Sequence, residues 1–140
     1  EEDEKVLQES KDAHIQTAYR LQEARDEAGR NYSETTKRAS KMFAMMNAGQ
    51  TEGLQLANQI VNSILHHSAQ PSTMLLLVQT EGLDAPGQEL AAQAVTASAL
   101  SLLMGTSMNL SQGNLLHLGL GGLLHDVGMH KLPSYFLAKK

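Results

Sequence analysis

From Met42 to His130 the chain carries no lysine and no arginine, and its only charges in that span are Glu52, Glu81, Asp84, Glu89 and Asp126. A stretch this poor in charge and rich in Leu and Ala folds by burying apolar faces against one another. Any phosphate bound there must be met by something other than Arg forks or Lys, and with no Phe, Tyr or Trp between Ala44 and Ser134 a base finds no stacking platform. The rest of the charge is concentrated at the start, where residues 1–40 hold ten of the 15 acids and seven of the 11 bases. With a formal net charge of -4 a sequence-blind nucleic-acid binder is not expected.

The 140 residues can bury roughly two-thirds of the surface that the unfolded chain exposes. The absence of cysteine excludes a disulfide scaffold, a Cys-ligated zinc site, an iron–sulfur cluster and a cysteine nucleophile, and leads us to expect a reducing, cytoplasmic setting. No apolar run approaches the roughly 18 residues of a membrane helix, so no membrane partner is expected. The opening Glu1-Glu2-Asp3-Glu4 resembles neither an initiator region nor a signal peptide, and a piece of a longer protein is expected.

Residues 1–47 lack Pro, abound in helix formers and show a thin apolar line through Leu7, Ile15, Ala18, Leu21 and Ala28. This predicts a charged helical lead-in with a break near Gly29 to Ser33. A second helix is expected after Thr51, with Leu56, Ala57, Ile60, Val61, Ile64 and Leu65 at three- and four-residue spacing, ending before Pro71. A short Leu-rich helix capped by Ser72 and a turn at Gly82 to Gly87 follow. Asp84 and Pro86 then open a buried helix that is expected to stop at Gly105, and Ser111 caps a last helix carrying Leu115, Leu116, Leu118, Leu120, Leu123 and Leu124. No segment alternates with a strand's period, so the fold class is all-α, a helical bundle with residues 1–47 as lead-in and 48–140 as its main domain.

Chemistry concentrates at Leu123-Leu124-His125-Asp126-Val127-Gly128. A carboxylate beside Leu-rich core is costly unless it is paired or meets a cation. Adjacent helix positions point about 100° apart, so His125 and Asp126 reach one site only where the helix ends, and Gly128 permits that. Two readings stay open on the residues alone: a metal-ligand pair, which suits Zn, Fe or Mn, or Asp126 as a cap with His125 as a satisfied core histidine. His66 and His67 at a helix end suit the local dipole, His117 has no neighbouring carboxylate, His14 sits among charges and His130 follows the motif closely. The seven methionines read as core filler.

The segment from Leu118 to Pro133, Leu-Gly-Leu-Gly-Gly-Leu-Leu-His-Asp-Val-Gly-Met-His-Lys-Leu-Pro, resembles the signature of HD-GYP domains, bacterial phosphohydrolases that act on cyclic di-GMP. The order of elements over about residues 40–140 agrees. The resemblance implies an HD-domain-like helical fold of which this chain is the N-terminal portion, and a metal-dependent phosphodiesterase in bacterial signalling. It implies that His125 and Asp126 are metal ligands, with Asp126 bridging two ions and acting as the catalytic carboxylate. The upstream ligand positions correspond to Glu89, which fits, and Gln93, which stands where the family has His. Two or three divalent ions, Fe or Mn, are implied, with cyclic di-GMP as substrate. Met129 replaces the family's Lys, leaving Lys131 as the nearest cation for a phosphate. The family's remaining ligands lie beyond Lys140, so this piece is expected to be inactive alone. The alternative is a degenerate signalling scaffold acting through protein partners. Incompletely covered Leu-rich faces over residues 90–124 lead us to expect a homo-oligomer.

Overall fold

The computed structural model describes residues 2–67 and 88–133. Within them the chain forms four helices, α1 (Glu2–Asn47), α2 (Glu52–His67), α3 (Glu89–Ser107) and α4 (Gln112–Leu124), followed by a short 3-10 turn at Val127–Lys131, and no strand occurs among the described residues. The all-α expectation therefore holds. The short helix and turn expected over residues 72–87, the helix start at Asp84 and Pro86, and the segment beyond Pro133 lie outside the described residues.

The first half of α1 is exposed and is supported locally, for example by Gln8 and Gln22 amides donating to Asp12 and Asp26 one turn on, at 3.3 and 3.0 Å. From Ala28 onward one face turns inward, and Ala28, Tyr32, Thr35, Thr36, Ala39, Met42 and Phe43 are buried at helical spacing. The break expected at Gly29 to Ser33 is absent. An interior glycine costs a helix about 1 kcal/mol, whereas each fully buried Met or Phe contributes roughly 1.5–3 kcal/mol, so the packing of the second half carries α1 through Gly29 unbroken. The Tyr32 hydroxyl lies 3.5 Å from Thr96 Oγ1 of α3 inside this core.

The exit from α1 is a Schellman turn. Gly49 at φ 73° lets the Gln50 amide reach the Met45 carbonyl and the Gly49 amide the Met46 carbonyl, both at 3.0 Å, which reverses the chain into α2. Ala57, Ile60, Val61 and Ile64 then face the core. Helix α3 lies at the centre, packed by α1, α2 and α4, with Ala91, Ala92, Ala94, Val95, Thr96, Ser98, Ala99, Leu102 and Gly105 all buried. Contrary to the expectation that no apolar run approaches membrane-helix length, α3 passes for a span by length and apolarity alone, with mean hydropathy 1.3, but its window is 50% buried within the fold, as in a core helix.

Gly105 does not end α3. A Cβ there would fall 2.7 Å from Leu115 Cδ2 and 2.9 Å from Leu118 Cδ2, so its value is closeness to α4, and the helix continues to Ser107. Asn109, at φ 54°, supplies the left-handed residue instead, with its amide bonded to the Thr106 carbonyl and the Leu110 amide to the Gly105 carbonyl. Ser111 caps α4 as expected, its side chain accepting from the Asn114 amide at 3.4 Å.

Helices α3 and α4 run antiparallel at close range. A Cβ on Gly119 would stand 2.9 Å from Leu102 Cδ2 and 2.6 Å from Val61 Cγ1, and one on Gly122 would stand 2.8 Å from Ser98 Cα and 2.9 Å from the Ala97 carbonyl oxygen. Between them Ser98 Oγ donates to the Gly119 carbonyl at 2.8 Å in a buried position. Gly121 faces open space. Gly122→Ala is therefore expected to lose about 1–3 kcal/mol of stability, because backbone cannot move aside as a side chain can, while Gly121→Ala gains about 0.5–1 kcal/mol. Urea unfolding of the two variants beside the parent measures both.

Candidate functional site

Helix α4 ends at Leu124, His125 keeps helical geometry (φ -56°, ψ -33°), and Asp126 leaves it (φ -111°, ψ 20°). That departure brings two adjacent side chains together: His125 Nε2 lies 2.9 Å from Asp126 Oδ2. The other ring nitrogen, Nδ1, lies 2.7 Å from the Gly122 carbonyl oxygen. Both bland readings of this pair fail on the geometry. The Asp126 side chain makes no capping hydrogen bond to the turn that follows. His125 is not a core residue either, because the two side chains are 45% and 46% exposed.

The ring has an acceptor at each nitrogen. A carbonyl oxygen can only accept, so the short contact at Nδ1 is one in which the ring donates, and Nε2 is left facing the carboxylate oxygen at 2.9 Å. The two side chains are thus in direct contact, with the ring oriented from behind by main chain.

The remaining expected residues stand apart from the pair. The antiparallel register, Leu102 against Gly119 and Ser98 against Gly122, sets residues 125 and 126 level with Ala94 and Val95 of α3. Gln93 is next to that level in height. It is five residues from Ser98, however, which at about 100° per residue places it about 140° around α3 from the line that α4 covers. Glu89 lies one turn earlier on the same exposed strip. Met129 and Lys131 are exposed on the 3-10 turn. Among the described residues no three His, Asp or Glu side chains come together as a group able to hold a metal ion. His125 and Asp126 fit as two ligands of a metal; the described residues do not supply the third.

Among the other histidines, His14 is exposed, with Nδ1 2.7 Å from the Ser10 carbonyl oxygen, and His66 and His117 are exposed on α2 and α4. The methionines divide: Met42 is core and Met46 packs against it, but Met104 and Met108 are 64% and 68% exposed, contrary to the reading of all seven as core filler. The strip of α3 that bears Glu89 and Gln93 continues through Leu100 and Met104, opposite the face that α1, α2 and α4 cover. Sequence reasoning missed the Gly122 carbonyl and Ser98, and the one signal for them is the glycine pair 119 and 122 in an otherwise Leu-rich helix.

Comparison with known protein families, with curated proteins and with solved structures yields no match.

An ion pair this exposed contributes little to folding. Asp126→Ala is expected to change the unfolding free energy by less than about 1 kcal/mol, as read from the urea midpoint. A loss above about 2 kcal/mol would mark the pair as structural instead.

Proposed function

We propose that this chain carries part of a metal-dependent phosphodiesterase centre of the HD-GYP kind, acting in bacterial cytoplasmic signalling on a cyclic dinucleotide, cyclic di-GMP. The observation that carries the reading is the direct approach of His125 Nε2 to the Asp126 carboxylate at the end of an apolar helix. In this reading the absence of Lys and Arg from Met42 to His130 leaves metal ions, with Lys131, to meet the phosphates.

His125 and Asp126 are the residues that hold the metal, Fe or Mn in this reading. Divalent ions at such a centre supply Lewis acidity and a nucleophile near neutral pH. The chain's own contribution is positional: Gly122 aims the imidazole, the helix end frees Asp126 to reach the same point, and Lys131 is the cation nearest in sequence for a phosphate oxygen. Glu89 and Gln93 are the further ligands implied by the resemblance, and completion of the set requires groups beyond the described residues. The amide of Gln93 is a neutral ligand and a weaker partner for Fe or Mn than imidazole.

A second reading, a degenerate scaffold that works through protein contacts, is favoured by Gln93 and Met129 at the two positions where chemistry most needs His and Lys. The exposed Leu100, Met104, Met108 and Leu118 give such a scaffold, or a second copy of the chain, apolar surface to bind.

Metal analysis of the chain and of its Asp126→Ala variant, with hydrolysis of cyclic di-GMP in Mn(II) or Fe(II) by the longest native form, separates the two. The enzyme reading expects bound metal that the variant loses and dinucleotide cleavage that needs it. Intact dinucleotide and no metal in the parent select the scaffold. Gln93→His is expected to raise metal occupancy if the centre is weakened at that position.

A further inference from the structure

We infer that the first half of α1 pairs antiparallel with the same segment of a second copy of this chain, making a two-fold dimer. The inference is independent of the metal reading, and it places the second copy on α1 rather than on the Leu-rich faces of residues 90–124.

The buried face of α1 continues into its exposed half. At about 100° per residue, the seven buried positions from Ala28 to Phe43 occupy an arc about 120° wide. Carried back along the helix, the same arc holds Val6, Leu7, His14, Ala18, Leu21 and Ala24, with only the hydroxyl residues Ser10 and Thr17 between them. All seven charges from Glu4 to Ala24 fall outside it, and Ile15 and Tyr19 lie beside it, on the edge that carries Lys11. Yet residues 4–23 are all exposed, with Val6, Leu7 and Leu21 at 62%, 59% and 52%. A stripe in phase with the core face, uncharged and bare for about 27 Å, is the pattern of a helix that packs on another helix.

The charges select the partner and its direction. Glu9 and Arg20 flank the arc on the same side. In an antiparallel pair related by a two-fold axis like edges meet, and the contacts are reciprocal. With residues whose numbers add to about 29 standing level, Glu9 of each copy faces Arg20 of the other. The same register sets Glu4 level with Arg25, which stands within the arc near its other edge, and brings Leu7 level with Leu21 to within one residue. A parallel pair would instead set Arg25 against Arg25 in the seam. The overlap runs from residue 4 to residue 25 and so stops short of Ala28, where the core begins.

The full chain is expected to show a reversible monomer–dimer equilibrium by sedimentation velocity in the micromolar range. Leu21→Glu, at an exposed position, is expected to weaken dimerisation at least about tenfold, because the change enters a two-fold seam twice. Glu9→Arg and Arg20→Glu are each expected to weaken it about 3–10-fold. The double variant is expected to return to within about twofold of the parent, since it rebuilds the pairs with their signs exchanged. The chain has no cysteine, so an introduced one reports its neighbour. A mixture of Leu7→Cys and Leu21→Cys proteins treated with a short bis-maleimide is expected to join position 7 to position 21 in preference to 7 to 7 or 21 to 21.

A chain that stays monomeric throughout the micromolar range overturns the inference. So does a dimer that Leu21→Glu leaves intact; its loss in Leu100→Glu would move the interface to the exposed strip of α3. A double charge variant no better than the single ones, or cross-linking of position 7 chiefly to position 7, overturns the antiparallel register.

Discussion

The close seating of α4 on α3 governs both the fold and the candidate site. Three contacts make it: Gly105 under Leu115 and Leu118, Gly119 over Leu102, and Gly122 on the backbone of Ala97 and Ser98. Without side chains at the two glycines of α4, the helices approach until main chain meets main chain, and the Ser98 hydroxyl uses that proximity to satisfy itself on the Gly119 carbonyl. Because α3 is also the helix that α1 and α2 cover, whatever fixes α4 on α3 fixes it in the whole core.

The same seating sets where the end of α4 stands on α3. Helix α4 delivers His125 and Asp126 at its C-terminal end, where the last carbonyls have no helical partner. One of them, that of Gly122, is taken by the imidazole. An orphan carbonyl thereby orients the ring, and the carboxylate of the next residue swings round to the other nitrogen. The outcome is a half-exposed pair of adjacent side chains at the end of the helix. Among the described residues no third acidic or imidazole group joins the pair.

The exposed strip of α3 is the other consequence of this architecture. Three neighbours cover one broad arc of the helix and leave Glu89, Gln93, Leu100 and Met104 on the remainder. An apolar strip bearing a single charge is unusual for a surface left to water, and it carries the two residues that the family resemblance associates with the metal site.

Much of this was legible along the chain because it is local. The 3.6-residue spacing in α2, the Ser111 cap and the adjacency of His125 and Asp126 at the end of an apolar run are properties of a few consecutive residues, and they identify the helical class and the candidate pair. What the tertiary structure alone decided is non-local. The charged composition of α1 concealed that Tyr32 to Phe43 belong to the core, since a helix face becomes interior only when α2 and α3 arrive to cover it, and their burial then overrides Gly29. Gly105 has the sequence character of a helix terminator, yet it serves as a contact with α4, and Asn109 makes the turn. Four of the glycines in and around α4 look alike in sequence, but only Gly119 and Gly122 press on α3. The Gly119 carbonyl has no residue-specific mark at all, because every residue carries one, and only the packing of two distant helices brings the Ser98 hydroxyl to it.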